Sequence, residues 1–161
     1  MVDFSTTADR LAFVTPIATK FGLEPTLVAA VCEQESDWEL GAVRFEPAFL
    51  QRYVNPLKLD LLESLDRATS WGLMQIMGQT ARELGYTGSC PSLRDPETAV
   101  TYGCKKLQSC FLKNGSHVET ALLAYNGGGN PHYALQVIAR LAHYAPTAAS
   151  PGPAAPSPSK V

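Results

Sequence analysis

Glu35 is the residue whose type and position in this sequence most directly suggest chemistry. Residues 24–36 are predicted to form a helix with a proline in its first turn. Val28, Val31, Cys32 and Glu35 are spaced i, i+3, i+4 and i+7, so they share one face. An unpaired charge is costly in a buried position, so a carboxyl buried on this face is expected to have a raised pKa and to stay protonated. General acid catalysis requires a protonated group of this kind. The periodicity is equally compatible with a glutamate at the helix end that turns outward to water.

The segments that could assist such an acid lie far apart in the chain. They are Gln34-Glu35-Ser36 followed by Trp38, Gly72-Leu73-Met74-Gln75-Ile76, Ala124-Tyr125-Asn126-Gly127-Gly128, and Tyr133 with Val137. In order and spacing they resemble the motifs of the soluble lytic transglycosylase (SLT) family of lysozyme-like, murein-cleaving enzymes. The last segment departs from the family pattern, with Tyr133-Ala134 where the family usually has Tyr-Val. The resemblance covers roughly residues 20–140.

The resemblance implies both a fold and a reaction. The fold would be mainly α and lysozyme-like, with helices packed around a central catalytic helix and at most a small β element. The reaction would be that of a peptidoglycan lytic transglycosylase, which cleaves the MurNAc-GlcNAc β-1,4 bond. Glu35 would first protonate the glycosidic oxygen. As a carboxylate it would then accept the proton of the muramoyl C6 hydroxyl, which closes a 1,6-anhydro ring, so no second carboxylate is needed.

The resemblance also implies a set of substrate-binding positions. These are Ser36, Met74, Gln75, Tyr125, Asn126 and Tyr133. The hydroxyl and amide side chains would hold substrate amides and hydroxyls, Met74 and Tyr125 would line the groove, and Tyr133 would approach the Glu35 carboxyl. Met74 and Tyr125 could instead be ordinary core residues, and Asn126 a helix cap. Gln75 is the strongest candidate of the set for binding substrate, because a long amide side chain in an apolar segment must find hydrogen-bond partners.

A second carboxylate would favour a water-using muramidase similar to goose-type lysozymes. Glu46 is the possible second carboxylate, and Asp37 and Asp66 are further candidates. An inverting hydrolase would need one of them roughly 6.5–9.5 Å from the Glu35 carboxyl. For Glu46, the favoured alternative is an ion pair with Arg44 or a helix-capping role.

A third hypothesis is a non-catalytic protein, either a glycan-binding module or a structural component of a virion or a secretion channel. The Glu35-Ser36 pair argues against it, because a binding module has no need for an acid in an apolar stripe. Activity of wild type and Glu35→Gln on purified murein would discriminate the two classes.

The elements that must position these residues are mainly helical. Local signals include Gly22 as a C-terminal cap and Asp95-Pro96-Glu97 as a helix start. Residues 72–77 are apolar and short, so they could be a strand or a tight buried segment. The predicted helices span residues 7–21, 24–36, about 57–67, 80–84, 96–113, 121–125 and about 130–144.

The composition limits which kinds of binding partner are expected. The net charge of −2 argues against nucleic acid as the main partner, and no apolar run is long enough to span a membrane. No metal set or cofactor motif appears, and a monomer is expected. The first residues lack the pattern of a secretory signal. An enzyme of the periplasm or cell wall would then arrive by phage lysis, virion delivery or a secretion system, and a sequence from which the signal has been removed is an equal alternative.

We predict one domain over residues 1–145, followed by a Pro/Ala/Ser-rich disordered tail or linker over residues 146–161. The four cysteines are expected to be free thiols, although Cys90 could pair with Cys104 or Cys110. The three histidines are isolated near helix ends, where surface or capping roles are expected.

Overall fold

The structure is a computed structural model that describes residues 3–115 and 117–145. Three short irregular helices accompany the regular elements: a π-helical turn Leu50–Val54 and 3-10 turns Asn55–Leu57 and Cys90–Arg94; a last 3-10 turn, Leu141–Tyr144, closes the described chain. The α-helices are α1 Thr7–Lys20, α2 Pro25–Ser36, α3 Pro47–Phe49, α4 Leu61–Arg67, α5 Gly78–Glu83, α6 Pro96–Lys113, α7 Val118–Asn126 and α8 Tyr133–Arg140. The strands are β1 Val43–Phe45, β2 Thr69–Trp71 and β3 Ile76–Met77. The predicted mainly α fold with a small β element is confirmed.

Helix α2 lies at the centre of the molecule, packed between α1, α8 and the turn Leu141–Tyr144. Its residues 27–32 are all buried, so almost every side chain in the middle of the helix contacts the core. Proline stands at its first position, as predicted, and the helix ends where Asp37 takes a left-handed φ of 49°. The next residue, Trp38, also has a positive φ, 64°, which turns the chain sharply away from the helix.

Helix α6 is the second core element and packs against α1 and α7. The Asp95 carboxylate accepts a hydrogen bond from the Thr98 amide at 2.9 Å, which satisfies a free N–H of the first turn and confirms the predicted start. Its buried face is built from Ala99, Val100, Gly103, Cys104 and Leu107.

The three strands form a small antiparallel sheet in the order β1-β2-β3. Trp71 pairs with Ile76, so residues 72–75 form the tight turn of the β2-β3 hairpin. Gly72 has a φ of +67°, and a Cβ there would lie 2.9 Å from the Ala99 Cβ. Only glycine fits this position, and the turn is thereby held directly against α6.

Several predicted boundaries were wrong, since α5 begins at Gly78 and α7 at Val118, ahead of the predicted residues 80 and 121. The helix expected from about residue 57 begins at Leu61, because the Asp60 carboxylate caps it by accepting the Glu63 amide at 3.0 Å. The last α-helix begins at Tyr133, and its final turn tightens into 3-10 geometry up to Tyr144. The predicted tail, residues 146–161, lies outside the described residues.

The last described turn belongs to the core, because Tyr144 is buried and its hydroxyl accepts a hydrogen bond from Trp38 Nε1 at 2.8 Å. The four cysteines are free thiols, and burial raises the pKa of Cys104 to about 12. Among the described residues no helix has the length and apolar character needed to cross a bilayer.

Candidate active site

A groove passes on both sides of the Glu35 side chain. It consists of two adjoining cavities, of about 650 and 860 Å³, that share Gln34, Glu35 and Gln75 in their walls. We call the larger one the tyrosine side and the smaller one the acidic side. The acidic side is lined by Glu33, Ser36, Asp37, Glu39, Gly41, Ala42, Val43 and Arg140, and the tyrosine side by Arg44, Glu46, Phe49, Tyr53, Ser70, Met77, Thr80, Lys106, residues 124–127, Gly129, Asn130 and Tyr133.

Glu35 lies on the last turn of α2, partly buried, with its carboxyl facing the groove. The Tyr133 hydroxyl donates a hydrogen bond of 2.6 Å to Glu35 Oε1, so this predicted approach of Tyr133 is observed. Burial raises the pKa of Glu35, and the hydrogen bond from Tyr133 and the positive charges of Lys106 and Arg44 oppose that rise. The carboxyl therefore holds its proton to higher pH than an exposed glutamate does.

Ser36 joins α2 to the hairpin turn. Its hydroxyl lies 2.9 Å from the Leu73 carbonyl oxygen and 3.0 Å from that of Cys32, both of which accept hydrogen bonds. One hydroxyl hydrogen is shared between two backbone acceptors, so in this structure Ser36 positions the turn relative to Glu35.

Gln75 holds the other end of the same turn. Its Nε2 donates to the Ala42 and Gly72 carbonyl oxygens at 3.1 and 2.9 Å, so both amide hydrogens are bonded to backbone. Its φ of 43° is left-handed, a conformation that a non-glycine residue keeps only when its surroundings enforce it. Gln75 lines both cavities, and its Oε1 accepts no hydrogen bond from the described residues.

Met74 is placed differently from the prediction. It is fully buried, its side chain packs against Gly103 of α6, and it lines neither cavity. The sequence-based expectation that Met74 lines the groove does not match this position, because the tight turn points its side chain into the core. Its backbone carbonyl takes part in the site instead, by accepting a 2.7 Å hydrogen bond from the Tyr125 hydroxyl.

Tyr125, Tyr133 and Lys106 together line the tyrosine side of the groove. The two tyrosine rings stack with centroids 6.5 Å apart and planes 19° apart. The Lys106 ammonium lies 4.3 Å from the centroid of the Tyr125 ring, a cation–π geometry. Sequence reasoning missed Lys106. The signal was present in the sequence. Lys106 follows Gly103 by three residues on the apolar stripe of α6, just as Glu35 follows Cys32 by three residues on the apolar stripe of α2.

Asn126 ends α7 and shapes the following loop. Its Oδ1 accepts the Asn130 amide hydrogen at 2.7 Å, and Gly127 and Gly128 have positive φ values of 73° and 80°. The C-terminal cap of α7 is Gly127, so the capping role considered for Asn126 from the sequence was wrong. The Asn126 side chain holds the loop that follows the helix, and it also lines the groove.

Of the carboxylates considered as partners of Glu35, Glu46 shares the tyrosine side of the groove with it. Its Oε1 forms an ion pair with Arg44 Nε at 2.5 Å, the arrangement favoured from the sequence. Asp37 lines the acidic side, and Asp66 lines neither cavity.

Comparison with known protein families gives one match that spans most of the domain. A family described as the transglycosylase SLT domain matches residues 14–137. The matched range runs from α1 to the last buried residue of α8 and includes every residue that lines the groove except Arg140. No solved structure matches the chain significantly.

Proposed function

The chain belongs to the transglycosylase SLT domain family, which acts on cell-wall peptidoglycan, and from this premise we propose that it is a lytic transglycosylase with Glu35 as its only catalytic carboxyl. The observation that supports this proposal best is the Glu35 carboxyl itself. It lies in the groove at the junction of the family's motifs, partly buried and hydrogen bonded to Tyr133. Its substrate would be the MurNAc-GlcNAc β-1,4 bond.

In the first step, protonated Glu35 donates its proton to the glycosidic oxygen, and the bond from that oxygen to the muramoyl C1 breaks. The departing sugar leaves with a free hydroxyl, and Glu35 becomes a carboxylate. The Tyr133 hydroxyl, which already donates to Oε1, stabilises that negative charge at 2.6 Å.

In the second step, the muramoyl C6 hydroxyl attacks C1 while the Glu35 carboxylate removes its proton. This forms the 1,6-anhydro bond and returns Glu35 to the protonated state. No water enters the products, so each is lighter than the corresponding hydrolysis product by one water molecule.

For the remaining predicted residues we propose two kinds of role. Gln75 Oε1, which accepts no hydrogen bond from the described residues, and the Asn126 side chain accept hydrogen bonds from the hydroxyl and amide groups of the sugar. Tyr125 forms the wall against which the sugar lies. Ser36 and Met74 contribute by fixing the turn to α2 and α6, with the Ser36 hydroxyl oxygen still able to accept a bond from substrate.

The mass of the released muropeptides tests the proposal. Wild type should release anhydromuropeptides from purified murein, and Glu35→Gln should release none. Glu24→Gln is the matched control, because Glu24 is an exposed carboxylate at the other end of α2. Murein binding without product from wild type would favour the non-catalytic module.

A water-using muramidase is the second candidate, and the presence of Glu46 in the same groove is the observation that favours it. Its pairing with Arg44 argues against a role as base. Products that contain the added water, and their loss in Glu46→Gln, would establish this reaction in place of the one proposed.

We further propose that the functional unit is the domain over residues 1–145 acting as a monomer in the periplasm or cell wall. The family match over residues 14–137 and the buried Tyr144 support this boundary.

A further inference from the structure

Lys106 is a cation on the tyrosine side of the groove with no role assigned so far. It projects from the inner face of α6, and its ammonium lies over the Tyr125 ring at 4.3 Å. It forms no ion pair within 4.0 Å with any carboxylate of the described residues. An ammonium carries three N–H donors, and a ring face occupies at most part of that capacity. A mostly buried cation without a carboxylate partner is costly, so its position calls for an explanation.

The charge that can offset this cost is on Glu35, which lines the same side of the groove. Burial lowers the pKa of Lys106, and the Glu35 carboxylate counteracts that change. The effect is mutual, since Lys106 counteracts the burial that raises the pKa of Glu35. The two groups therefore interact electrostatically within a cavity that both of them line.

Other ionisable groups also surround this pair. Tyr133 from α8, Tyr125 from α7, Arg44 from β1 and Cys32 from α2 itself interact with Glu35, and Cys110 of α6 interacts with Lys106. Tyrosine and thiol groups are neutral at neutral pH here, because burial raises the pKa values of Tyr125, Tyr133 and Cys32. Arg44 is 69% exposed and already paired with Glu46, so solvent and its partner screen its charge. Of the two positive charges that act on Glu35, Lys106 therefore has the larger effect.

We propose that Lys106 is a positioning residue for the reaction, whose ammonium stabilises the carboxylate form of Glu35 after proton donation to the glycosidic oxygen. The inference rests on the proposed function. Its physical basis is that a positive charge attracts the carboxylate far more than the neutral acid, so the interaction grows as the proton leaves. The cation–π contact with Tyr125 holds the ammonium in place, so no reorganisation is needed when the charge develops.

The adjacent Lys105 provides a matched control. Its ammonium also lies over a tyrosine ring, that of Tyr102, at 4.5 Å, but it lines neither cavity. Lys106→Met and Lys105→Met therefore remove the same charge and the same kind of contact from neighbouring positions of one helix. Lys106→Gln is a second neutral variant in case the methionine variant does not fold, and Lys106→Arg keeps the charge.

The first measurement is independent of activity. The Glu35 carboxyl carbon is followed by NMR as a function of pH in the ligand-free proteins, with Glu35→Gln used to assign the signal. Removing the charge in Lys106→Met or Lys106→Gln should move the Glu35 titration to higher pH, while Lys105→Met leaves it at the wild-type position. An unmoved titration in a folded Lys106→Met protein would overturn the proposal.

The second measurement is the pH dependence of murein cleavage. Lys106→Met should lower kcat by about tenfold and move the alkaline limb of kcat/KM to higher pH, with Lys106→Arg restoring most of the activity. Wild-type kcat in Lys106→Met would overturn the positioning role. If wild type releases no anhydro product, the proposed function fails, and the NMR titration still decides whether Lys106 acts on Glu35.

Discussion

Replacing Gly103 by alanine tests whether the hairpin turn is held rigidly against α6. A Cβ at this position would lie 2.6 Å from Met74 Cβ and 2.9 Å from Met74 Cε, and closer still to its Sδ. Overpacking of this kind costs about 1–3 kcal/mol. Alanine in mid-helix recovers up to about 1 kcal/mol of helix propensity. We therefore expect a net loss of about 1–2 kcal/mol in the free energy of unfolding, which corresponds to a Tm lower by about 3–6 °C.

Equilibrium urea unfolding and calorimetry measure this loss. Gly41→Ala is the control, because no heavy atom lies within 4 Å of a Cβ built there, and it should change stability by less than about 0.5 kcal/mol. The loss in Gly103→Ala should be accompanied by reduced murein cleavage, since Met74 also supplies the carbonyl that Tyr125 binds.

A double-mutant cycle identifies the cause. Met74→Ala alone should cost about 2–5 kcal/mol through the cavity that it leaves. Adding Gly103→Ala to that variant should cost less than it does in wild type, because Sδ and Cε are gone and part of the clash is relieved. A Gly103→Ala protein as stable as wild type would refute the reasoning, since the turn would then move aside freely.

Three further predictions concern ionisable side chains. Burial raises the folded-state pKa of Glu35 above its ordinary 4.5, so the contribution of Glu35 to wild-type stability should fall as pH rises above about 4.5. Calorimetry across pH should therefore give Glu35→Gln the higher Tm at neutral pH and no advantage at pH 4 or below. Ion pairs with Arg82 at 2.8 Å and Arg67 at 2.7 Å lower the pKa of Glu63 to about 2. Glu63→Gln should therefore lower the free energy of unfolding in urea by about 1–3 kcal/mol at pH 7, and this difference should shrink as pH falls from 4.5 towards 2. Tyr133→Phe removes the hydrogen bond that lowers the pKa of Glu35, so the alkaline limb of kcat/KM should move to higher pH; an unchanged limb would contradict the role given to that bond.

The elements with strong local signals were the ones predictable from sequence. Helix α2 begins at its proline, and α6 begins after the Asp95 cap, because capping and apolar periodicity depend only on neighbours along the chain. The π-helical turn Leu50–Val54 was not predicted, since it depends on packing against α4. The start of α4 was missed although its signal, the Asp60 cap, is local.

The sequence predicted which residues lie near the candidate site better than it predicted where their side chains point. The motifs meet around Glu35, as the resemblance implied, and Tyr133 reaches its carboxyl. Met74 points into the core because a four-residue hairpin turn reverses the chain, which no helical or strand periodicity describes. Lys106 carried a stripe signal, but its contact with the Tyr125 ring depends on the packing of α6 against α7.

The hydrogen bond between Trp38 and Tyr144 has a practical consequence for engineering the domain. It joins the residues just after α2 to the end of the described chain, so shortening the protein before Tyr144 would leave an indole N–H without its acceptor and open the base of the central helix to water. A fusion partner, an affinity handle or a surface tether should therefore be attached beyond this tyrosine, so that the hydrogen bond with Trp38 is kept.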